Sequence, residues 1–88
     1  MISRRVRVTN PLGLHARAAA RFVGLAARFK SQVRVNRGQR TVDGKSILGL
    51  LLLAAARGTE LVIAADGADE ADALDALTGL VDRGFEDA

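Results

Sequence analysis

The chain's only histidine, His15, lies in the run Asn10-Pro11-Leu12-Gly13-Leu14-His15-Ala16-Arg17, where a glycine-containing loop enters an alanine-rich segment. A helix beginning there has first amides without internal acceptors and a positive dipole end. Such an end binds phosphate. The same field disfavours imidazolium, which tends to keep the ring neutral and nucleophilic. Arg17 can donate paired hydrogen bonds to phosphate oxygens. Imidazole, the backbone N–H groups of Ala16 and Ala18, and a guanidinium together supply a nucleophile and charge stabilisation. Those are the needs of reversible phosphoryl transfer. An isolated His-x-Arg is more often a polar helix start beside a surface charge, so the spacing alone does not decide. No cysteine or second histidine is present, so no metal site is expected.

The elements that must position His15 are legible in outline. Ile2 to Val8 alternates, with Ile2, Val6 and Val8 on one face and Arg4 as an intruder, which reads as a strand. Ala16 to Phe29 reads as a helix with a buried stripe of Ala19, Phe22, Val23, Ala26 and Phe29. Arg17, Arg21, Gly24 and Arg28 then form an exposed basic ridge. Val33 and Val35, then Thr41 and Val42, flank Arg37-Gly38 and suggest a hairpin. Ser46 is a good N-cap for a helix starting in the apolar run Ile47 to Ala56. Leu61 to Ala65 suits a buried strand. Asp66 or Asp69 caps a final helix whose stripe is Ala73, Leu74, Leu77, Leu80 and Val81. The tail from Gly84 to Ala88 reads as frayed.

The order is β-α-β-β-α-β-α in one domain of 88 residues. This is an α+β class. A four-stranded antiparallel sheet with three helices on one face would bury all three stripes together. The absence of cysteine excludes disulfide staples and cysteine catalysis. Met1 to Arg5 carries charge with no apolar run behind it, unlike a signal peptide. The longest apolar run is half of the roughly 20 residues that a spanning helix needs. The expectation is a soluble, cytoplasmic protein. Residues 1–45 hold eleven Lys or Arg against the single acid Asp43, and residues 46–88 hold two Arg against nine acids. That asymmetry suits an acidic partner or a phosphate.

Gly13-Leu14-His15-Ala16-Arg17 resembles the active-site signature of HPr, the phosphocarrier family of the bacterial phosphotransferase system. Gly44-Lys45-Ser46-Ile47-Leu48-Gly49-Leu50 is similar to that family's second signature, around a regulatory serine. Asp66-Gly67-Ala68-Asp69-Glu70 is similar to the start of its last helix. The resemblance covers nearly the whole chain and implies an open-faced β-sandwich. It implies that enzyme I, charged from phosphoenolpyruvate, phosphorylates His15 on the ring nitrogen nearer the backbone. Arg17 would steady the phosphate, and an enzyme IIA component would accept it. It further implies an HPr kinase/phosphorylase acting on Ser46, and a docking patch around Leu14, Ile47, Leu48 and Leu51 beside the basic ridge. Leu50 and Leu53 are expected inward, Leu48 and Leu51 partly exposed. No cofactor is implied. The residue after Arg17 is commonly proline in the family; here Ala18 restores a donor, to be satisfied by the loop or turned toward the phosphate.

Three other classes compete. A basic RNA-binding α/β module would need strand aromatics for stacking, and Phe22, Phe29 and Phe85 all lie off the strands, so no nucleic acid is expected. A purely regulatory relative would lack the histidine. An independent enzyme would need a substrate cavity, for which a chain of this size is expected to have no room. The expected carrier is monomeric, exposing His15 to partners in turn, and does not insert in membranes.

Overall fold

The computed structural model describes residues 1–87. Four strands and three helices follow in order: β1 (Ile2–Arg7), α1 (Ala16–Ala26), β2 (Gln32–Arg37), β3 (Arg40–Asp43), α2 (Ile47–Leu52), β4 (Glu60–Asp66) and α3 (Glu70–Asp82). The sheet order is β1-β4-β2-β3, with every neighbouring pair antiparallel. The central strands are therefore β4 and β2, with β1 and β3 at the edges.

Alternation makes the sheet two-faced. Val6, Val33, Val35, Leu61, Ile63 and Ala65 are buried, while Arg5, Arg7, Arg34 and Glu60 are exposed. Phe22 of α1, Leu50 and Leu53 around α2, and Leu74, Leu77 and Val81 of α3 join the same core. Arg4 breaks the alternation because it reaches α3, where its guanidinium lies 2.6 Å from the Asp75 carboxylate. Among the described residues, no helix is long and apolar enough to cross a membrane.

Several boundaries differ from the sequence reading. Helix α1 stops at Ala26, because Arg28 and Phe29 donate to the Leu25 and Ala26 carbonyls in a tighter i−3 turn. Phe29 is half-buried, and the fully buried stripe is Ala18, Ala19, Phe22 and Ala26. The hairpin turn is Gly38-Gln39, with Gly38 at φ 59°. Helix α2 starts after Ser46 but spans six residues. Its last carbonyls are taken by the hairpin: Arg40 donates to Leu52 at 2.6 Å and Arg37 to Leu53 at 2.7 Å. Asp69 precedes α3 without a side-chain cap. Its carboxylate instead accepts from the Lys30 and Ser31 amides and the Ser31 hydroxyl, fixing the α1–β2 connection.

The largest departure is the tail. Residues 84–86 form a 3-10 turn, and Phe85, at φ 57°, is wholly buried. Arg21 locks it by donating to the Phe85 and Glu86 carbonyls at 3.0 and 2.8 Å. Ala88, part of the tail expected to fray, lies outside the described residues.

Two predictions follow from this packing. Phe85→Ala is expected to cost about 3 kcal/mol in urea unfolding, where a frayed tail would give almost nothing. The Asp69 carboxyl is held down to about 2 by the Ser31 hydroxyl and the Lys30 and Ser31 amides. Its stabilisation is full above the ordinary carboxyl value and is lost as pH falls through about 2. The stability gap between the wild type and Asp69→Asn should therefore close between pH 4 and pH 2.

Candidate functional site

His15 is the N-cap of α1, with an extended backbone at φ −85° and ψ −178°. Its Nδ1 accepts from the Arg17 amide at 3.3 Å, a long bond. The first intrahelical bond comes only at Ala19, whose N–H donates to the His15 carbonyl at 2.8 Å. The amides of Ala16, Arg17 and Ala18 thus precede the helix's own hydrogen bonding. Among the described residues, the Asn10–Leu14 loop supplies no acceptor for Ala18, whose methyl group is buried in the core. Of the two roles expected for that N–H, the loop-satisfied one is not seen.

The loop holds the ring in place. Gly13 adopts φ 67°, and a side chain there would meet the Ala55 carbonyl oxygen at 2.5 Å. That approach lets the Leu14 N–H donate to the same carbonyl at 2.9 Å. The chain leaving α2 therefore braces the chain entering α1, and it explains the shortness of α2. Ala54 turns left-handed at φ 50° so that Ala55 can reach the loop.

The other ring nitrogen has a partner that the sequence did not reveal. His15 Nε2 lies 2.9 Å from the Asp87 carboxylate. Asn10 donates to that carboxylate at 3.3 Å and to the Gly13 carbonyl at 2.8 Å. Arg17 Nη1 stands 3.6 Å from the other carboxylate oxygen. The Asp87 side chain is only 5% exposed, the imidazole 25% and the Arg17 side chain 68%. The His15 ring, with smaller contributions from Asn10 and Arg17, holds the Asp87 carboxyl below its ordinary range against the opposing effect of burial. In the neutral ring, an Nδ1 that accepts requires an Nε2 that carries the proton. The carboxylate and the helix amide thus select the same tautomer, leaving a lone pair on Nδ1 at the helix end.

The remaining expected site residues separate into groups. Gly24 and Arg28 are exposed, Arg28 just beyond the helix; Arg21 is also exposed, but its guanidinium is bound to the tail. Ile47 and Leu48 are 42% and 70% exposed, and Leu51 is half-buried, while Leu50 and Leu53 point inward. Leu12 and Leu52 are additional exposed leucines. Leu14 is a correction: it is buried, as suits an apolar residue one place before an N-cap, and offers no docking surface. Ser46 is the N-cap of α2, its Oγ accepting from the Gly49 amide at 3.0 Å.

An open groove of about 510 Å³ lies beside Arg37, Gly38, Gln39, Arg40 and Leu53. It includes neither His15 nor any other nucleophile.

The chain is similar to known proteins along nearly its whole length. Residues 2–83 match the model of the family described as the PTS HPr component phosphorylation site. The chain is 48% identical to the phosphocarrier protein HPr of Neisseria meningitidis serogroup A over 85 residues, 97% of this chain and 96% of the relative. It is 47% identical to the phosphocarrier protein HPr of Pseudomonas putida over 88 residues, 99% of this chain and 98% of the relative. Among solved structures it resembles HPr-C-His from Thermoanaerobacter tengcongensis, with a TM-score of 0.95 and 36% identity, over 100% of this chain and 99% of that one.

The loop geometry yields a mutational test. Gly13→Ala should destabilise the fold by about 2 kcal/mol or more, because it combines a left-handed backbone with a backbone clash. A wild-type urea midpoint would contradict the bracing contact.

Proposed function

The chain belongs to the HPr family of the phosphotransferase system, and from that premise we propose that it carries a phosphoryl group on His15 between larger enzymes of that system. Phospho-enzyme I, charged from phosphoenolpyruvate, is the donor, and an enzyme IIA component is the acceptor. The protein acts as their substrate and product, needs no cofactor, and works as a monomer in the cytoplasm. The single supporting observation is the setting of Nδ1, an accepting nitrogen at the open end of α1.

The residues divide the work. The Nδ1 lone pair attacks phosphorus in line with the departing donor. The Arg17 amide, now on Nδ1, turns to a phosphoryl oxygen, joined by the first-turn amides at Ala16 and Ala18. The Arg17 guanidinium is exposed enough to swing onto a second oxygen. The basic surface at Arg21, Gly24 and Arg28 and the leucine patch at Ile47, Leu48 and Leu51 receive the partners. Contacts of this kind are brief, since a carrier must leave each partner.

Ser46 is the proposed regulatory site, modified by an HPr kinase/phosphorylase. A phosphate there adds about −1.5 to −2 charges beside the leucine patch, repelling an acidic partner.

One incubation tests the reading. With phosphoenolpyruvate, magnesium and enzyme I, the intact mass should rise by one acid-labile phosphoryl group, and His15→Ala should show no gain. Arg17→Ala should slow the transfer about a hundredfold. In a parallel arm with the kinase and ATP, an acid-stable gain should vanish in Ser46→Ala. An unmodified wild type after incubation with its cognate enzyme I would overturn the carrier role.

A further inference from the structure

The carboxylate under the histidine has a chemical consequence beyond tail packing. Three groups that are distant in sequence meet at His15: the Arg17 amide on Nδ1, Asp87 on Nε2, and Asn10 behind Asp87. A carboxylate with 5% side-chain exposure needs partners, and here the imidazole is the nearest. We propose that Asp87 is a positioning residue for phosphoryl transfer, holding the Nε2 proton so that Nδ1 stays bare and the ring is fixed toward the incoming phosphorus. This rests on the carrier reading of His15.

The step balances simply. The Nδ1 lone pair forms the new N–P bond as the donor's bond to phosphorus breaks and its electron pair stays with the donor. No proton need move. The ring, having given up its lone pair, becomes cationic with the proton still on Nε2. Asp87 then faces a positive ring at hydrogen-bond distance, an interaction stronger in the transition state than before it. The same group works in reverse when the phosphoryl group leaves. The charged groups facing the ring are Asp87 and Arg17; Arg21, one turn on, is bound to the tail carbonyls.

Asp87 has a second effect through Arg17. At 3.6 Å the guanidinium is paired with the carboxylate by charge but not by a hydrogen bond. Arg17 is therefore held near the ring yet free to exchange the carboxylate for a phosphoryl oxygen. The buried turn at Phe85 and the Arg21 bonds bring Asp87 to the site, which gives the tail a role in the chemistry.

The test has two readouts on the full chain labelled with 15N-histidine. The first needs no partner. At a pH where the ring is neutral, the Nε2-bound proton should be visible by NMR in the wild type and lost to water exchange in Asp87→Ala. The second is the rate of phosphorylation by phospho-enzyme I. It should fall about tenfold in Asp87→Ala, the loss of one charge-assisted hydrogen bond. Asp87→Glu should recover most of it, which a packing role for the tail would not explain. A wild-type rate in Asp87→Ala, or an Nε2 proton that survives in that variant, overturns the proposal. A wild type that takes no phosphate while its Nε2 proton depends on Asp87 defeats the carrier reading and leaves the positioning of the ring intact.

Discussion

The open first turn of α1 is the constraint around which the rest is organised. A helix start presents amides with no internal acceptor, and burying it unsatisfied would be costly. Here the N-cap is an imidazole rather than a serine or aspartate, and it meets only one amide, at 3.3 Å. That is a weak cap compared with Ser46 on α2, at 3.0 Å. An incoming anion can therefore satisfy what the chain leaves open. For the end to stay open yet ordered, its surroundings must be rigid. Gly13 against Ala55, Ala18 and Ala19 in the core, and Asn10 beneath the loop supply that rigidity.

The uneven charge along the sequence has a more local meaning in the fold than a single electropositive surface. Much of the basic first half is engaged within the molecule. Arg4 reaches Asp75, the Lys45 ammonium donates to the Phe29 carbonyl, and Arg21, Arg37 and Arg40 each bind backbone carbonyls. An exposed ion pair such as Arg4–Asp75 contributes little to stability by itself. The effect of these contacts is on position: they tie the hairpin to the end of α2 and the tail to α1. Beside the histidine, among the described residues, the available cation is Arg17, held only loosely by Asp87, whereas Arg28 lies past the far end of α1 and the exposed leucines belong to α2.

Local signals told most of the fold and half of the site. Period-two alternation marked the strands and an alanine-rich stripe marked α1, because burial of one face is a local demand on sequence. His15, Arg17 and Ser46 were legible for the same reason, each being defined by the start of a helix. What escaped was non-local. Asp87 reads as one more acid in a polar tail, and nothing near it in sequence indicates a histidine 72 positions away. Phe85 gave the one available signal, a large apolar residue too hydrophobic for a frayed end. Leu14 was misassigned because an exposed docking residue and an N-cap staple have the same composition. Either Asp66 or Asp69 fits a local cap in sequence, whereas the partners of Asp69 belong to the α1–β2 connection.

A carrier must bind its phosphoryl group well enough to take it and weakly enough to pass it on. In the proposed function, the arrangement around His15 would meet both demands because the resting site already holds a charge of the right sign. Before transfer, Arg17 stands near Asp87; in the proposed transfer it moves to a phosphoryl oxygen, so its gain is a difference between two anions rather than a new pairing. Its exposure keeps both interactions screened, which narrows that difference further. Asp87, its side chain buried and bonded to Nε2, would stay behind to face the cationic ring. The exposed group is the one that exchanges, and the buried group is the one that holds. That division, set by a tail that packs where a free end was expected, suits a phosphoryl group that must leave as readily as it arrives.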